Sequence, residues 1–185
     1  HHFDHVLVCT GAKPKKMESL SKHPHSGFAQ DILLGKMWAG KNVVIIGGGS
    51  VGCEVADFIA PLVNDRHPNN KKITVIEMQD NIIMDDTSPG RSVLVQRMER
   101  KGVKIITNAT VTDITETTVT YQQNNQSITL NDIDTVLLAI GYESDNSLEA
   151  ILKDMNISYT TIGDAKQPGK IKFAILDAYQ ICKDL

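Results

Sequence analysis

Cysteine is scarce in this 185-residue chain, with three in all, Cys9, Cys53 and Cys182. They lie far apart and in no C-x-x-C or C-x-x-x-x-C spacing. That argues against a zinc site and a redox-active disulfide, and suits a reducing cytosol. No block of lysine and arginine dominates either, and the net charge is −3. Nucleic acid and acidic membrane surfaces are therefore not expected partners. No uninterrupted apolar run reaches membrane-spanning length and no signal-peptide pattern opens the chain, so the expectation is a cytoplasmic protein. His1, His2 and His5 are read as a tag remnant or a naturally His-rich start, and His23 and His25, flanking Pro24, as a solvated loop. No metal site is expected. What is present is ordinary globular composition, 41 % hydrophobic, enough for a real core.

The most informative stretch is Asn42 to Glu54, in which an apolar, β-branched run enters Gly47, Gly49 and Gly52 at G-x-G-x-x-G spacing. Dinucleotide-binding domains use such a strand-to-helix turn to hold a pyrophosphate. Gly47 allows the tight turn, Gly49 admits the phosphates close to the backbone, and Gly52 lets the helix pack closely on the sheet. The N–H groups and positive dipole end of that helix then face the anion. Alone the motif is weak, but its context agrees on both sides. Val43 to Ile46 reads as a parallel strand covered on both faces. Val55, Ala56, Phe58, Ile59 and Leu62 fall near helical spacing, giving one buried stripe. Cys53 is read as a small buried residue. Ile73 to Glu77 is the second strand, ending in an acid suited to the ribose hydroxyls. A 2′-phosphate would be repelled there, so NAD(H) is expected over NADP(H). The acid comes late, which a lengthened polar loop over Asn64 to Lys72 explains.

Asp4 to Cys9 reads as a short buried strand closed by Thr10-Gly11, and Ala12 to Gly27 as a polar connector. Trp38 is expected to pack at a domain edge. Ser88-Pro89 is a cap followed by proline at the first helical position, opening a helix to Lys101 that buries Val93, Leu94 and Met98 and ends at Gly102. Val103 to Thr107 is the third strand, completing β-α-β-α-β and implying a parallel sheet. Thr110 to Leu130 alternates, with breaks near Glu116-Thr117 and Asn124-Asn125, and reads as a three-stranded antiparallel meander. Asp134 to Gly141 is a buried strand returning to the parallel sheet. Asn146 with Glu149 reads as a capping box for a helix reaching Met155. Thr160 to Asp164 is a strand end with an acid at its tip. Ile171, Ala174, Ile175, Ala178 and Ile181 mark a final amphipathic helix.

These features together resemble the two-dinucleotide-domain pyridine nucleotide–flavin reductases. Within them the likeness is to the C-terminal part of old-yellow-enzyme-like NADH:flavin oxidoreductases, the group of 2,4-dienoyl-CoA reductase, 2-enoate reductase and trimethylamine dehydrogenase. The matching stretches are Val6 to Pro14, the glycine fingerprint with Glu54, Thr74 to Glu77, Thr135 to Gly141 and Ile162 to Ala165. Pro168 to Ile171, with Ala174-Ile175 and Ala178-Tyr179, points to the old-yellow-like branch. The resemblance implies an α/β fold in which a Rossmann-like NAD-binding domain with its β-meander is inserted into a FAD-binding domain. Residues 1–37 would be the outgoing part of the FAD domain and linker, 38–141 the NAD domain, and 142–185 the return. The family carries a second glycine fingerprint upstream, on the first strand of the FAD domain, whereas this sequence has one such motif. The chain is therefore expected to be a fragment, whose partners are the missing FAD half-domain and a barrel domain bearing FMN and an Fe–S cluster. Exposed faces meant for that half could make it self-associate.

By the same resemblance NADH would contact Gly47, Gly49, Ser50, Val51, Gly52, Glu77, Met78 and Gly141. Glu54 would either point toward the nicotinamide end or serve as an acid at a helix N-terminus. FAD would contact Thr10, Gly11, Gly163 and Asp164 in the parent, and Asp164 also suits a plain surface turn. No nucleophile–base pair stands out, so no catalytic side chain is named. The implied role is the NADH-binding module of a flavin-dependent oxidoreductase or enoate reductase. The alternatives are a non-catalytic ADP or NAD module, or part of an NADH dehydrogenase or oxidase of the same superfamily.

Overall fold

The computed structural model describes residues 3–61, 71–84 and 86–184. Its strands are β1 (Val6–Val8), β2 (Ala12–Pro14), β3 (Ser26–Phe28), β4 (Asn42–Ile46), β5 (Lys72–Ile76), β6 (Lys104–Ile106), β7 (Ala109–Ile114), β8 (Val119–Gln123), β9 (Gln126–Leu130), β10 (Thr135–Leu138), β11 (Tyr142–Ser144) and β12 (Tyr159–Thr161). The helices are α1 (Ala29–Leu33), α2 (Ser50–Ile59), α3 (Gly90–Arg100), α4 (Ser147–Asp154) and α5 (Ile171–Asp184), with short 3-10 turns at Glu18–Lys22 and Gly163–Ala165. Two compact units result, Lys16–Gly141 and the chain on either side of it. No helix among the described residues is long and apolar enough to cross a membrane.

The larger unit is built on a five-stranded sheet, all parallel, in the order β3-β10-β4-β5-β6. Its central strands are apolar at nearly every position because both faces are covered. Val43, Ile45, Ile73, Val75 and Leu137 point to one face, where they meet Val55, Ala56 and Ile59 of α2 and Met98 of α3. Val44, Ile46, Ile76, Val136 and Leu138 point to the other, where Ala109, Ile114, Val119 and Tyr121 of the antiparallel β7-β8-β9 meander cover them. Each fully buried valine or isoleucine contributes roughly 1.5–3 kcal/mol relative to exposure. The hairpin between β8 and β9 turns at Asn124 and Asn125, both with positive φ (51° and 61°), a conformation asparagine tolerates. The α/β fold, parallel sheet and three-stranded meander expected from the sequence are thus present.

The segment Ala12 to Gly27, expected as a connector, instead carries β2, the Glu18–Lys22 turn and the start of β3. Met17, Leu20 and Phe28 pack against the meander-side core, and β3 is hydrogen-bonded to β10. The compact unit that holds this sheet runs from Lys16 to Gly141. His23 is not a solvated loop residue. It is 3 % exposed, its Nδ1 accepts the His25 N–H at 3.2 Å, and its Nε2 lies 3.1 Å from the Ile133 carbonyl, which assigns the proton to Nε2. Trp38 does not pack, being 90 % exposed.

In α2 the buried stripe excludes Phe58, which is exposed, and takes in Asp57 instead. Leu62 and most of the loop expected over Asn64 to Lys72 lie outside the described residues. In α3 Val93 is exposed while Leu94 and Val95 pack on the core and Met98 is fully buried. Ser88 precedes that helix, but its hydroxyl donates to Asp86 at 2.9 Å rather than capping it. At α4 the capping box does not form. Asn146 makes no side-chain cap bond, and the Glu149 N–H donates to the Asn146 backbone carbonyl at 3.1 Å, while the Glu149 carboxylate accepts the Thr161 hydroxyl at 2.6 Å.

The smaller unit pairs β1 with β12 in parallel and β2 with β11 antiparallel. Val8, Leu152 and Ala165 form its small core. Of the apolar stripe expected on α5, Ala174, Ala178 and Ile181 are half-buried, whereas Ile171 and Ile175 are exposed together with Phe173, Leu176 and Tyr179. Two-stranded sheets of this size have little independent stability, so this unit has the character of part of a larger layer.

Two predictions concern the larger unit. Asp57 joins α2 to α3 through Arg97 at 2.7 Å and Lys101 at 2.9 Å, and Lys101 also donates to the Asp57 carbonyl at 2.6 Å. Burial alone would raise the Asp57 carboxyl, but the hydrogen bonds and charges of Arg97 and Lys101 outweigh it and hold the group below its ordinary value. A depressed folded-state pKa stabilises above the unfolded value of about 3.9 and loses that stabilisation as pH falls through the folded value. Asp57→Asn should therefore cost about 1–3 kcal/mol in urea unfolding at neutral pH, with the gap to the unaltered chain closing under strong acid. Gly52 is the second case, because a Cβ there would collide with the Gly47 carbonyl and crowd the Ala139 Cβ at 3.2 Å. Gly52→Ala should cost roughly 1–3 kcal/mol. An unchanged unfolding midpoint would show that the helix can draw back from the sheet.

Candidate functional site

The order of the sheet places a reversal of connection direction at β4. From β4 the chain proceeds through α2 to β5 on one side, while β10 lies on the other. In open α/β sheets the crevice beyond the carboxyl ends of the strands at such a reversal is the usual ligand site. The glycine turn lies there. Gly47 has φ +106°, a conformation that favours glycine, and a Cβ on it would strike the Ala139 carbonyl of the neighbouring strand's exit. Its N–H donates to the Ile76 carbonyl at 2.9 Å, and Ala139 donates to Ile46 at 2.8 Å, so the turn is tied to β5 and β10 at once. Gly49 is the N-cap of α2 in extended conformation, with no side chain to cap the helix. Ser50, Val51 and Gly52 form the first turn. Helix geometry gives the first-turn N–H groups no intrahelical acceptors, and the helix dipole adds positive potential at the same end.

Glu77 reaches this turn. Its Oε2 accepts the Gly48 N–H at 2.6 Å and its Oε1 accepts the Gln79 N–H at 2.8 Å. The acid at the end of β5 and the fingerprint at the end of β4 are therefore one constellation. Met78 follows, 66 % exposed. Glu54 is exposed on α2, the fifth residue of that helix. Gly141, with φ +92°, ends the larger unit two residues beyond Ala139.

The remaining expected residues gather in the smaller unit. Thr10 and Gly11 follow β1, and Gly163 and Asp164 follow β12, its parallel neighbour, so the two pairs leave adjacent strand ends. The Thr10 hydroxyl donates to the Asp145 carbonyl, and Gly11 accepts the Asp145 N–H at 3.0 Å. Gly163 has φ +61°, and its N–H donates to Asp177 at 3.2 Å. Asp164 accepts the Gly169 N–H at 3.1 Å, which closes the turn before α5.

Sequence reasoning passed over Gly48, Ile82 and Ala139. A Cβ on Gly48 would lie 2.7 Å from Cγ2 of Ile82 and 3.0 Å from Cβ of Glu77, so the middle glycine of the run is also short of space for a side chain. The run Gly47-Gly48-Gly49 was the available signal, since the fingerprint itself leaves its second position open.

Comparison with known proteins agrees with this geometry. The profile of the pyridine nucleotide-disulphide oxidoreductase family matches residues 1–166. The chain is 31 % identical over 184 residues to an NADH oxidase of Thermoanaerobacter brockii, covering 96 % of this chain and 27 % of that protein. It is 26 % identical over 185 residues to a cinnamate reductase of Clostridium sporogenes, covering 98 % and 26 %. Among solved structures, 2-naphthoyl-CoA reductase superposes with a TM-score of 0.79 at 25 % identity, over 96 % of this chain and 26 % of that one. These names agree with the resemblance to old-yellow-like reductases. The chain spans about a quarter of the length of such relatives. With a strand-to-helix glycine turn, an acid closing on it and a profile match over most of its length, the chain belongs to the pyridine nucleotide-disulphide oxidoreductase family.

Proposed function

We propose that the Lys16–Gly141 unit binds NADH and, within a longer flavin-dependent oxidoreductase, presents its nicotinamide for hydride transfer to FAD. The observation that carries this reading is the Glu77 carboxylate bonded to the Gly48 N–H at the mouth of the glycine turn. A diphosphate would rest on the amides of Gly49, Ser50, Val51 and Gly52, and the missing Cβ of Gly49 would leave room for close approach. Glu77 would accept the ribose hydroxyls beside it, and a 2′-phosphate there would meet a like charge. Met78 would flank the adenosine half. Glu54 and Gly141 would lie toward the nicotinamide half.

NADH supplies the hydride, and the contribution of this chain is to orient and anchor it. Thr10, Gly11, Gly163 and Asp164 would meet FAD in the parent. They stand at the ends of two adjacent strands only, so tight FAD binding by this chain alone is not expected. The family resemblance further assigns residues 1–37 and 142–185 to the FAD domain and 38–141 to the NAD domain. FMN and an Fe–S cluster would belong to a barrel outside the chain. The compact unit beginning at Lys16 supports a smaller outgoing part than that division gives.

Calorimetric titration with NADH, NAD⁺, NADPH and ADP tests the reading. NADH should bind about tenfold or more tightly than NADPH, the equivalent of one moderately screened charge repulsion. Glu77→Gln should narrow that ratio toward unity by removing the charge. Equal affinities for NADH and NADPH, unaffected by Glu77→Gln, would remove Glu77 from the ribose. Binding of ADP and NADH alike, with no discrimination between NADH and NAD⁺, would favour a non-catalytic nucleotide module instead.

A further inference from the structure

The peptide unit between Ile82 and Ile83 is held at both ends. Its carbonyl, on Ile82, accepts from Nη2 of Arg91 at 2.9 Å. Its N–H, on Ile83, donates to the Gly48 carbonyl at 2.7 Å. Ile83 sits at φ +52°, in the left-handed region that a β-branched residue rarely adopts. Both isoleucines are buried, at 3 % and 2 % exposure, within the helix-side core. Backbone outliers of this kind persist only where their surroundings over-determine them, and they concentrate at ligand clamps.

The rest of the segment is pinned as well. Gln79 donates its N–H to Glu77 and accepts the Asn108 N–H at 2.8 Å, and the Asn81 side chain accepts the Ile82 N–H at 2.9 Å. Met84 follows, its sulfur 3.8 Å from the same Arg91 nitrogen. Arg91, in the first turn of α3, thus grips one end of a peptide whose other end grips the glycine turn. Rotation of that peptide would relieve the left-handed Ile83, but it would break both bonds. It would also shift the Ile82 methyl that lies over Gly48, where a Cβ would come within 2.7 Å.

We infer that Arg91 is a positioning residue for the adenosine-diphosphate half of the ligand. It holds the Ile82–Ile83 peptide in the orientation that keeps Gly48, and through the Gly48 N–H the Glu77 carboxylate, in place. The inference rests on the nucleotide reading of this turn and adds to it a residue that touches neither phosphate nor ribose. Because the clamp sits on the Gly48–Glu77 side, it acts on ADP and NADH alike and leaves a free nicotinamide mononucleotide unaffected.

The test uses the whole chain with Arg91→Ala and Arg91→Lys, each titrated with ADP, NADH and nicotinamide mononucleotide. Amide hydrogen exchange at Ile83 is followed in parallel without ligand. Arg91→Ala should weaken ADP and NADH by one common factor, roughly fivefold, the equivalent of one net hydrogen bond, and should speed exchange at Ile83. Arg91→Lys, which keeps a donor for the Ile82 carbonyl, should recover most of both losses. If Arg91→Ala does not fold, Arg91→Lys decides, through retained Ile83 protection and near-normal ADP binding. Unchanged ADP affinity in a folded Arg91→Ala chain, or unchanged Ile83 exchange, would overturn the inference. So would a lysine variant as impaired as the alanine one. Failure of the unaltered chain to bind ADP or NADH would overturn the nucleotide reading itself, and this inference with it.

Discussion

Backbone packed against backbone at one crossing governs the larger unit. The turn from β4 into α2 presses Gly47 onto the exit of β10 and Gly52 onto the carbonyl of Gly47, with no space for a single extra carbon at either place. That contact lets α2 begin directly above the sheet edge, so its amide-rich end opens into the crevice between β4 and its neighbours. It also brings Gly48 within 2.6 Å of the Glu77 carboxylate, joining two segments 29 residues apart into one site.

The layers around that crossing exist to hold it still. Three helices cover one face of the sheet and the antiparallel meander covers the other, so β4 and β10 are surrounded by apolar side chains on both faces. The ion pairs of Asp57 with Arg97 and Lys101 fasten α2 to α3. Arg91, at the other end of α3, reaches back to the segment beneath the glycine turn. The same helix therefore steadies both the far end of α2 and the near edge of the candidate site. The smaller unit is different in kind. Its core is a handful of residues, and α5 leaves Ile171, Phe173, Ile175 and Tyr179 exposed. Such a surface fits a unit that completes its packing with further chain, in keeping with relatives some four times as long as this sequence.

Much of this was legible from residue patterns. The strands β4, β5 and β10 read as unbroken apolar runs because burial on both faces leaves no polar position. The meander read clearly because one covered face produces alternation and its turn carries two asparagines. What escaped was the choice among competing bonding partners, some adjacent in sequence and some far away. Ser88 and Asn146 are ordinary cap residues, but Asp86 claims the hydroxyl of the first, while the Glu149 N–H goes to the Asn146 backbone carbonyl and the Glu149 carboxylate to Thr161. Helical spacing proposed Phe58 and Val93 as buried, yet only neighbouring elements decide which edge of a stripe is covered. His23 looked like loop because its partner, the Ile133 carbonyl, lies 110 positions away. At the candidate site the fingerprint and its acid were visible, whereas the clamp on Gly48 was not, since no motif records that Ile83 adopts a left-handed conformation.

The most direct measurement is a crystal structure of this chain soaked with NADH. A diphosphate is expected against the amides of Gly49, Ser50 and Val51, with a ribose within hydrogen-bond reach of Glu77. A nucleotide found elsewhere on the chain, with the glycine turn and Glu77 still bonded only to each other, would contradict it.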